Sequence, residues 1–107
     1  MLLATANLAA AAVTLLYTVP ANRRAVLCVN LCNRSNASVS VRVALTSGVA
    51  PTDADWIEYE TPLPAAGNPS GSVLERTGLA LGPGQKLYVR ASASGISASA
   101  FGIEDAA

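Results

Sequence analysis

The sequence contains no histidine, and only 13% of its residues are charged. The absence of histidine removes the commonest general base, the commonest metal ligand, and the Ser/His and Cys/His nucleophile pairs. The only two cysteines, Cys28 and Cys32, stand four apart in Cys-Val-Asn-Leu-Cys. On a strand this puts both on one face about 13 Å apart, too far for a disulfide. With no histidine or second cysteine pair, a four-ligand zinc site is incomplete. The thiols therefore read as small buried hydrophobes, and neither a metal nor a cofactor is expected. Seven Lys and Arg balance seven Asp and Glu, so the cationic excess that displaces counterions from nucleic acid is missing.

Charge is absent altogether from residues 1–22. A secretory signal usually opens on Lys or Arg, whereas Leu2 follows Met1 directly. The stretch is Ala-rich, interrupted by Thr5, Asn7, Thr14 and Thr18 and closed by Pro20, and it lacks the Leu/Ile/Val/Phe density that inserts into a bilayer. It reads as part of the mature fold, away from membrane. Residues 1–12, with Leu2, Leu3 and Leu8, form an uncharged arm that the domain or a neighbouring subunit must cover; it is a candidate interface.

What remains is 107 residues, 51% of them hydrophobic, with a mean hydropathy of +0.39. One domain of this size hides roughly 10,000 Å² on folding, about 65% of what the unfolded chain exposes. Period-two alternation runs through Ser38–Thr46, where Val39, Val41, Val43 and Leu45 share a face. In Arg24–Cys32 both faces are mostly apolar, which predicts a central strand covered on each side. Asn33-Arg34-Ser35-Asn36-Ala37 between them is turn-forming, and a hairpin over 24–46 is expected. Residues 13–19 read as a strand with Val13, Leu15, Tyr17 and Val19 on one face; 1–11 are open between strand and helix.

Residues 47–71 hold four prolines and three glycines and should be loop with one short strand, Trp56–Glu60. Strand-like pieces follow at 72–77, 79–81, 86–92 and 96–104. In the last, the apolar parity moves from Ile96, Ala98 and Ala100 to Phe101 and Ile103, and a bulge near Ala100 would explain it. Seven to eight short antiparallel strands without a convincing helix predict an all-β, single-domain sandwich or jelly roll.

The charged residues are segregated along the chain. Arg23, Arg24, Arg34 and Arg42 precede every acid, and Asp53, Asp55, Glu58 and Glu60 follow within eight residues, interleaved with Trp56 and Tyr59. This separation predicts that one copy's basic edge meets another's acidic loop, with pairing inside the chain as the alternative. The aromatic and acidic mixture also suits a sugar, because rings stack on its faces while carboxylates accept from its hydroxyls. No Asp-x-Asp-x-Asp-Gly calcium loop is present. Asn33-Arg34-Ser35 and Asn36-Ala37-Ser38 match the glycan acceptor pattern but read as turn residues.

The order Leu16-Tyr17-Thr18-Val19-Pro20-Ala21, Cys32-Asn33-Arg34-Ser35, Leu79-Ala80-Leu81-Gly82-Pro83-Gly84-Gln85 and Ser97-Ala98-Ser99-Ala100-Phe101-Gly102-Ile103-Glu104 resembles small β-sandwich structural proteins of tailed bacteriophages. The resemblance spans about residues 13–104, and the proline-rich segment 51–70 fits none of its patterns. It implies a virion component, either a capsid decoration protein or part of the tail, with no catalytic residues. The implied partners are a major capsid protein or a tail structural protein, together with further copies of the chain, a trimer being compatible with threefold shell sites. An adhesive module that binds glycans is the alternative from another class.

Overall fold

A computed structural model describes residues 1–107. Eight strands follow in order: β1 (Leu2–Asn7), β2 (Thr14–Thr18), β3 (Arg23–Asn33), β4 (Val39–Thr46), β5 (Trp56–Leu63), β6 (Val73–Leu81), β7 (Lys86–Ala91) and β8 (Ile96–Ala106). A 3₁₀ turn at Asp53–Asp55 is the only helical element, and no helix is long and apolar enough to cross a membrane. The strands form two antiparallel four-stranded sheets, ordered β1-β8-β3-β6 and β2-β7-β4-β5. Only β4 and β5 are consecutive neighbours within a sheet; all other connections cross between sheets. This is the two-sheet, eight-stranded jelly roll, one of the architectures expected from the strand pattern. Its accessible surface of 5435 Å² sits close to the ~5,500 Å² that folded chains of this mass retain.

The core is aliphatic. Leu27, Val29 and Leu31 of β3, Val39, Val41 and Val43 of β4, Leu87 and Val89 of β7, and Ile96, Ala98 and Ala100 of β8 are all at most 2% exposed and belong to one cluster. No aromatic ring belongs to it, so leucine, β-branched and alanine side chains interdigitate between the sheets without a large ring to accommodate.

The hairpin expected over 24–46 does not form. β3 and β4 lie in opposite sheets, and residues 34–38 are an arch between them. A hairpin would leave both apolar faces on the same side of one sheet, whereas the arch sets them against each other across the core. The buried side chain of Asn33 organises it, donating to the carbonyls of Ala37 and Leu63 and accepting from the Ser35 amide and hydroxyl. Asn33 is 1% exposed, which makes it a turn organiser and places its amide out of reach of a glycan.

Other strands differ from expectation in detail. β3 is central by hydrogen bonding, between β8 and β6, yet only one of its faces is covered: Val26 is 55% exposed, and Cys28, Asn30 and Cys32 are half-buried on the outside. The two cysteines are thus free thiols on an outer face, not core residues. In β2 a register shift between Leu15 and Tyr17 turns Leu16 and Val19 inward and leaves Val13 and Leu15 exposed. The pieces at 72–77 and 79–81 are one strand with a bulge where Gly78 takes φ +70°, so Leu74 and Leu79 both point toward the core despite opposite parity. β5 runs to Leu63 and includes Pro62, tolerated because β5 is an edge.

Candidate functional site

The uncharged arm is part of the sandwich. β1 pairs with β8, Leu8 is buried in the core at 2% exposure, and Leu3 packs against that core. Of the three leucines assigned to an interface, only Leu2 remains exposed. A run of 22 uncharged residues supplies both β1 and β2, the edge strands on one flank, because neither edge needs a charged side chain to pair within its sheet.

Most of the charges expected to pair between copies pair within the chain. Glu58 accepts from Arg76 Nη1 at 2.5 Å and from the Thr61 hydroxyl at 2.7 Å, joining β5 of one sheet to β6 of the other. Arg42 and Arg90 stand directly opposite each other on β4 and β7, a like-charge placement that costs energy unless relieved. Glu60 relieves it by pairing with both. Arg23 pairs with Glu104 at 3.7 Å and Arg24 with Asp105 at 2.9 Å, while Arg34 donates to the Asn7 side chain. Asp55 accepts from the Thr52 amide and hydroxyl, and the amide bond leads in holding its carboxyl below the usual range. Asp53 alone among the four clustered acids makes no ion pair or side-chain hydrogen bond.

At the opposite flank the Tyr17 hydroxyl of β2 donates to the Glu104 carboxylate of β8, again bridging the sheets. Burial, then this hydrogen bond and the charge of Glu104, push the phenol up to about 12, with Arg23 opposing. A raised folded value means that this contribution to stability is complete below pH ~10 and is lost as pH rises toward about 12. Phenolate absorbance of the native chain should therefore show one late step. In Tyr17→Phe that step should vanish; its persistence would assign it elsewhere.

The outer faces of the two sheets are unlike. Over β7 and β4, the Tyr88 hydroxyl donates to the Val49 carbonyl at 2.5 Å, tying the 47–55 segment down, and Ala44 is fully buried between Tyr88 and Trp56 in the pairing register. The outer face of β1-β8-β3-β6 has no such cover. There Leu2 pairs with Phe101, Phe101 with Cys28, and Ile103 with Val26, which pairs in turn with Ala80. Leu2, Val26 and Ile103 are 66%, 55% and 68% exposed. The Arg24–Asp105 pair closes one end of this apolar patch and the Asn30–Glu75 row the other. A depression of about 420 Å³ lies at the Arg24–Asp105 end, lined by that pair with Val26, Ala80 and Ile103.

Sequence reasoning placed Leu2 and Arg24 at an interface but missed Val26, Phe101, Ile103 and Ala80. The signal is the parity change at Phe101, which the alternation alone reads as a bulge near Ala100. Against β3, β8 holds its register from Ile96 to Ala106 without a shift. The irregularity lies in the partner strand β1, between Leu2 and Ala4. Phe101 and Ile103 are apolar residues on the outward parity.

A second cluster forms on β5. Two register shifts against β4 and a positive φ of 52° at Glu60 break the alternation. Trp56 and Tyr59, of opposite parity in a regular strand, thereby come together with ring centroids 5.9 Å apart at 70°. The Arg42 guanidinium carbon lies 4.1 Å from the Tyr59 ring centre and 5.6 Å from that of Trp56. Asp53, Trp56 and Tyr59 line an open recess of about 400 Å³. No group of three His, Cys, Asp or Glu side chains converges to hold a metal. No protein-family model, curated protein or solved structure matches the chain.

Proposed function

We propose that the chain is a non-enzymatic structural protein of a tailed-phage virion, acting as a capsid decoration protein that stabilises the shell by burying contact area present only after assembly. The observation that carries this reading is the uncovered apolar patch of Leu2, Val26, Phe101 and Ile103, closed at its ends by polar pairs. A contiguous apolar surface with a polar rim is the anatomy of a protein interface. The partner is the major capsid protein, and added contacts that exist only in the assembled state stabilise it by mass action. The charged groups support the same reading, since most are engaged within the domain and leave apolar contact as the main means of attachment. A tail or baseplate component is the second reading, because a tube subunit would bury the same patch. Lateral contact between copies, as in a trimer, would use the neutral β1 and β2 edges.

Copy number per purified particle separates the two positions, many symmetry-related copies for a shell and few for a tail. Val26→Asp and Ile103→Asp should each change stability by no more than about 0.5 kcal/mol, as expected of exposed sites. Each should lower incorporation into particles by at least about tenfold, since burying one such aliphatic side chain is worth roughly 1.5–3 kcal/mol. Unchanged incorporation of both variants would move the interface off this face, and a chain missing from every particle would end the reading.

A further inference from the structure

We propose that the Trp56–Tyr59 corner of β5 is a binding site for a neutral pyranoside sugar. The inference is independent of the virion reading and rests on a different face of the molecule.

Two properties single out the corner. The rings are held at 70° to each other on one side of an edge strand, although regular alternation would send them to opposite sides. The device that brings them together is a pair of bulges and a left-handed backbone at Glu60. Left-handed geometry at a non-glycine residue costs energy and persists only where its surroundings enforce it; here Glu60 is fixed by Arg42 and Arg90. Tyr59 nevertheless stays 58% exposed, so the arrangement does not serve to bury the rings. Arg42 lies against Tyr59 and leaves the rest of the ring to solvent.

The chemistry around the rings selects the ligand. A cation is disfavoured because the Arg42 guanidinium already occupies the aromatic corner. An anion is disfavoured because Glu60 takes up both guanidinium groups and Asp53 adds a free carboxylate at the rim. Two arginines and two carboxylates leave the site neutral overall. A pyranoside matches what remains: the apolar C–H face of a sugar ring stacks on Tyr59 or Trp56, and the unpaired Asp53 carboxylate accepts from its hydroxyls. The recess of about 400 Å³ is of the size that a mono- or disaccharide fills, and it is open enough to admit the end of a longer chain. Trp, Tyr and Arg also anchor protein interfaces. The unpaired Asp53 carboxylate at the lip of the open recess favours a hydroxyl-bearing ligand over the dry contact such anchors make.

Trp56 is the only tryptophan, so its fluorescence reports on this site alone. The full chain is titrated with cellobiose, lactose and chitobiose. At least one should give a saturable change with a millimolar Kd. Tyr59→Ala should weaken that binding by about tenfold or more, and Asp53→Asn by about threefold or more, with Trp56 kept as reporter in both. Melting curves check that each variant is folded, and Asp53→Asn, at an exposed and unpaired side chain, keeps the test decisive if Tyr59→Ala is destabilised. Non-saturating changes with all three disaccharides overturn the proposal, as does undiminished affinity in both variants. Loss of Trp56→Ala and Tyr59→Ala chains from particles, with no sugar bound by the parent, would overturn it in favour of a protein contact. Sugar binding by a chain found on no particle would leave the site standing and remove the virion reading.

Discussion

Gly102→Ala should destabilise the domain by about 4 kcal/mol, combining strain at an unfavourable φ with overpacking, and should prevent folding if the parent has little stability in reserve. β8 runs between β1 and β3, and at Gly102 its backbone takes φ +155° opposite Leu27. A methyl group there would lie 2.2 Å from the Val26 carbonyl oxygen and 2.7 Å from the Leu27 Cα. Both obstacles are backbone of the central strand, so no rotamer change relieves them. Urea denaturation of the variant beside Gly67→Ala is the measurement. Gly67 also has positive φ, at 79°, but a Cβ there meets nothing within 4 Å, and its replacement should cost only about 1–2 kcal/mol. A Gly102→Ala domain as stable as the Gly67→Ala control would show that β8 can move off β3 freely, contrary to the packing described.

Asn33→Ala should lower stability by about 3 kcal/mol, since it leaves the buried Leu63 carbonyl without its donor at roughly 1–3 kcal/mol and also removes the bonds to the Ala37 carbonyl, which keeps the Ser35 hydroxyl, and to the Ser35 amide, at about 0.5–1.5 kcal/mol each. The Asn33 amide bonds the Ala37 carbonyl at 2.9 Å and the Leu63 carbonyl at 3.0 Å, linking the end of β3 in one sheet to the end of β5 in the other. The Ser38 hydroxyl stands 3.5 Å from the Leu63 oxygen, too long to replace it well. In a domain of this size such a loss lowers Tm by about 12–24 °C. Asn33→Asp should be worse than Ala at neutral pH, because it points a buried negative charge at two carbonyl oxygens while keeping the shape. The introduced carboxyl would titrate above its unfolded value of about 3.9, so its penalty would be absent in acid and grow as pH rises. Thermal melts of both variants at acid and neutral pH decide the matter. An Asn33→Asp domain more stable than Asn33→Ala at pH 7 would show that the arch is held by something other than these donors.

Much of the fold was legible because a strand with one buried face writes itself as alternation. Val39, Val41 and Val43 are read correctly in this way. Sheet membership was not legible. The segment 33–37 has turn composition whether it closes a hairpin or arches between sheets; what separates the two is the pair of carbonyls that the Asn33 side chain finds, one of them thirty residues away. Bulges were equally hidden. The parity break at Phe101 and the split at Gly78 look alike in the chain, yet one is an apolar outer face and the other an irregularity in the ladder.

The candidate sites divide along the same line. Trp56, Tyr59, Arg42 and Asp53 stand out by residue type, but a regular strand would set the two rings on opposite faces, and only the bulged pairing of β5 with β4 unites them. Glu58, Glu60, Arg23 and Arg24 looked free to seek partners on other copies, because segregation along a chain says nothing about proximity across a sandwich.

By itself the sequence determined that the domain is all-β, that its core is aliphatic, and that the usual histidine chemistry is absent. These properties follow from residue type and local period, and no rearrangement of neighbours alters them. The tertiary structure alone decided which strands share a sheet, which charges cancel within the molecule, and which apolar face is left uncovered. Each of those depends on contacts between residues far apart in the chain, where the energy of one pairing is settled only against all the others competing for the same surface.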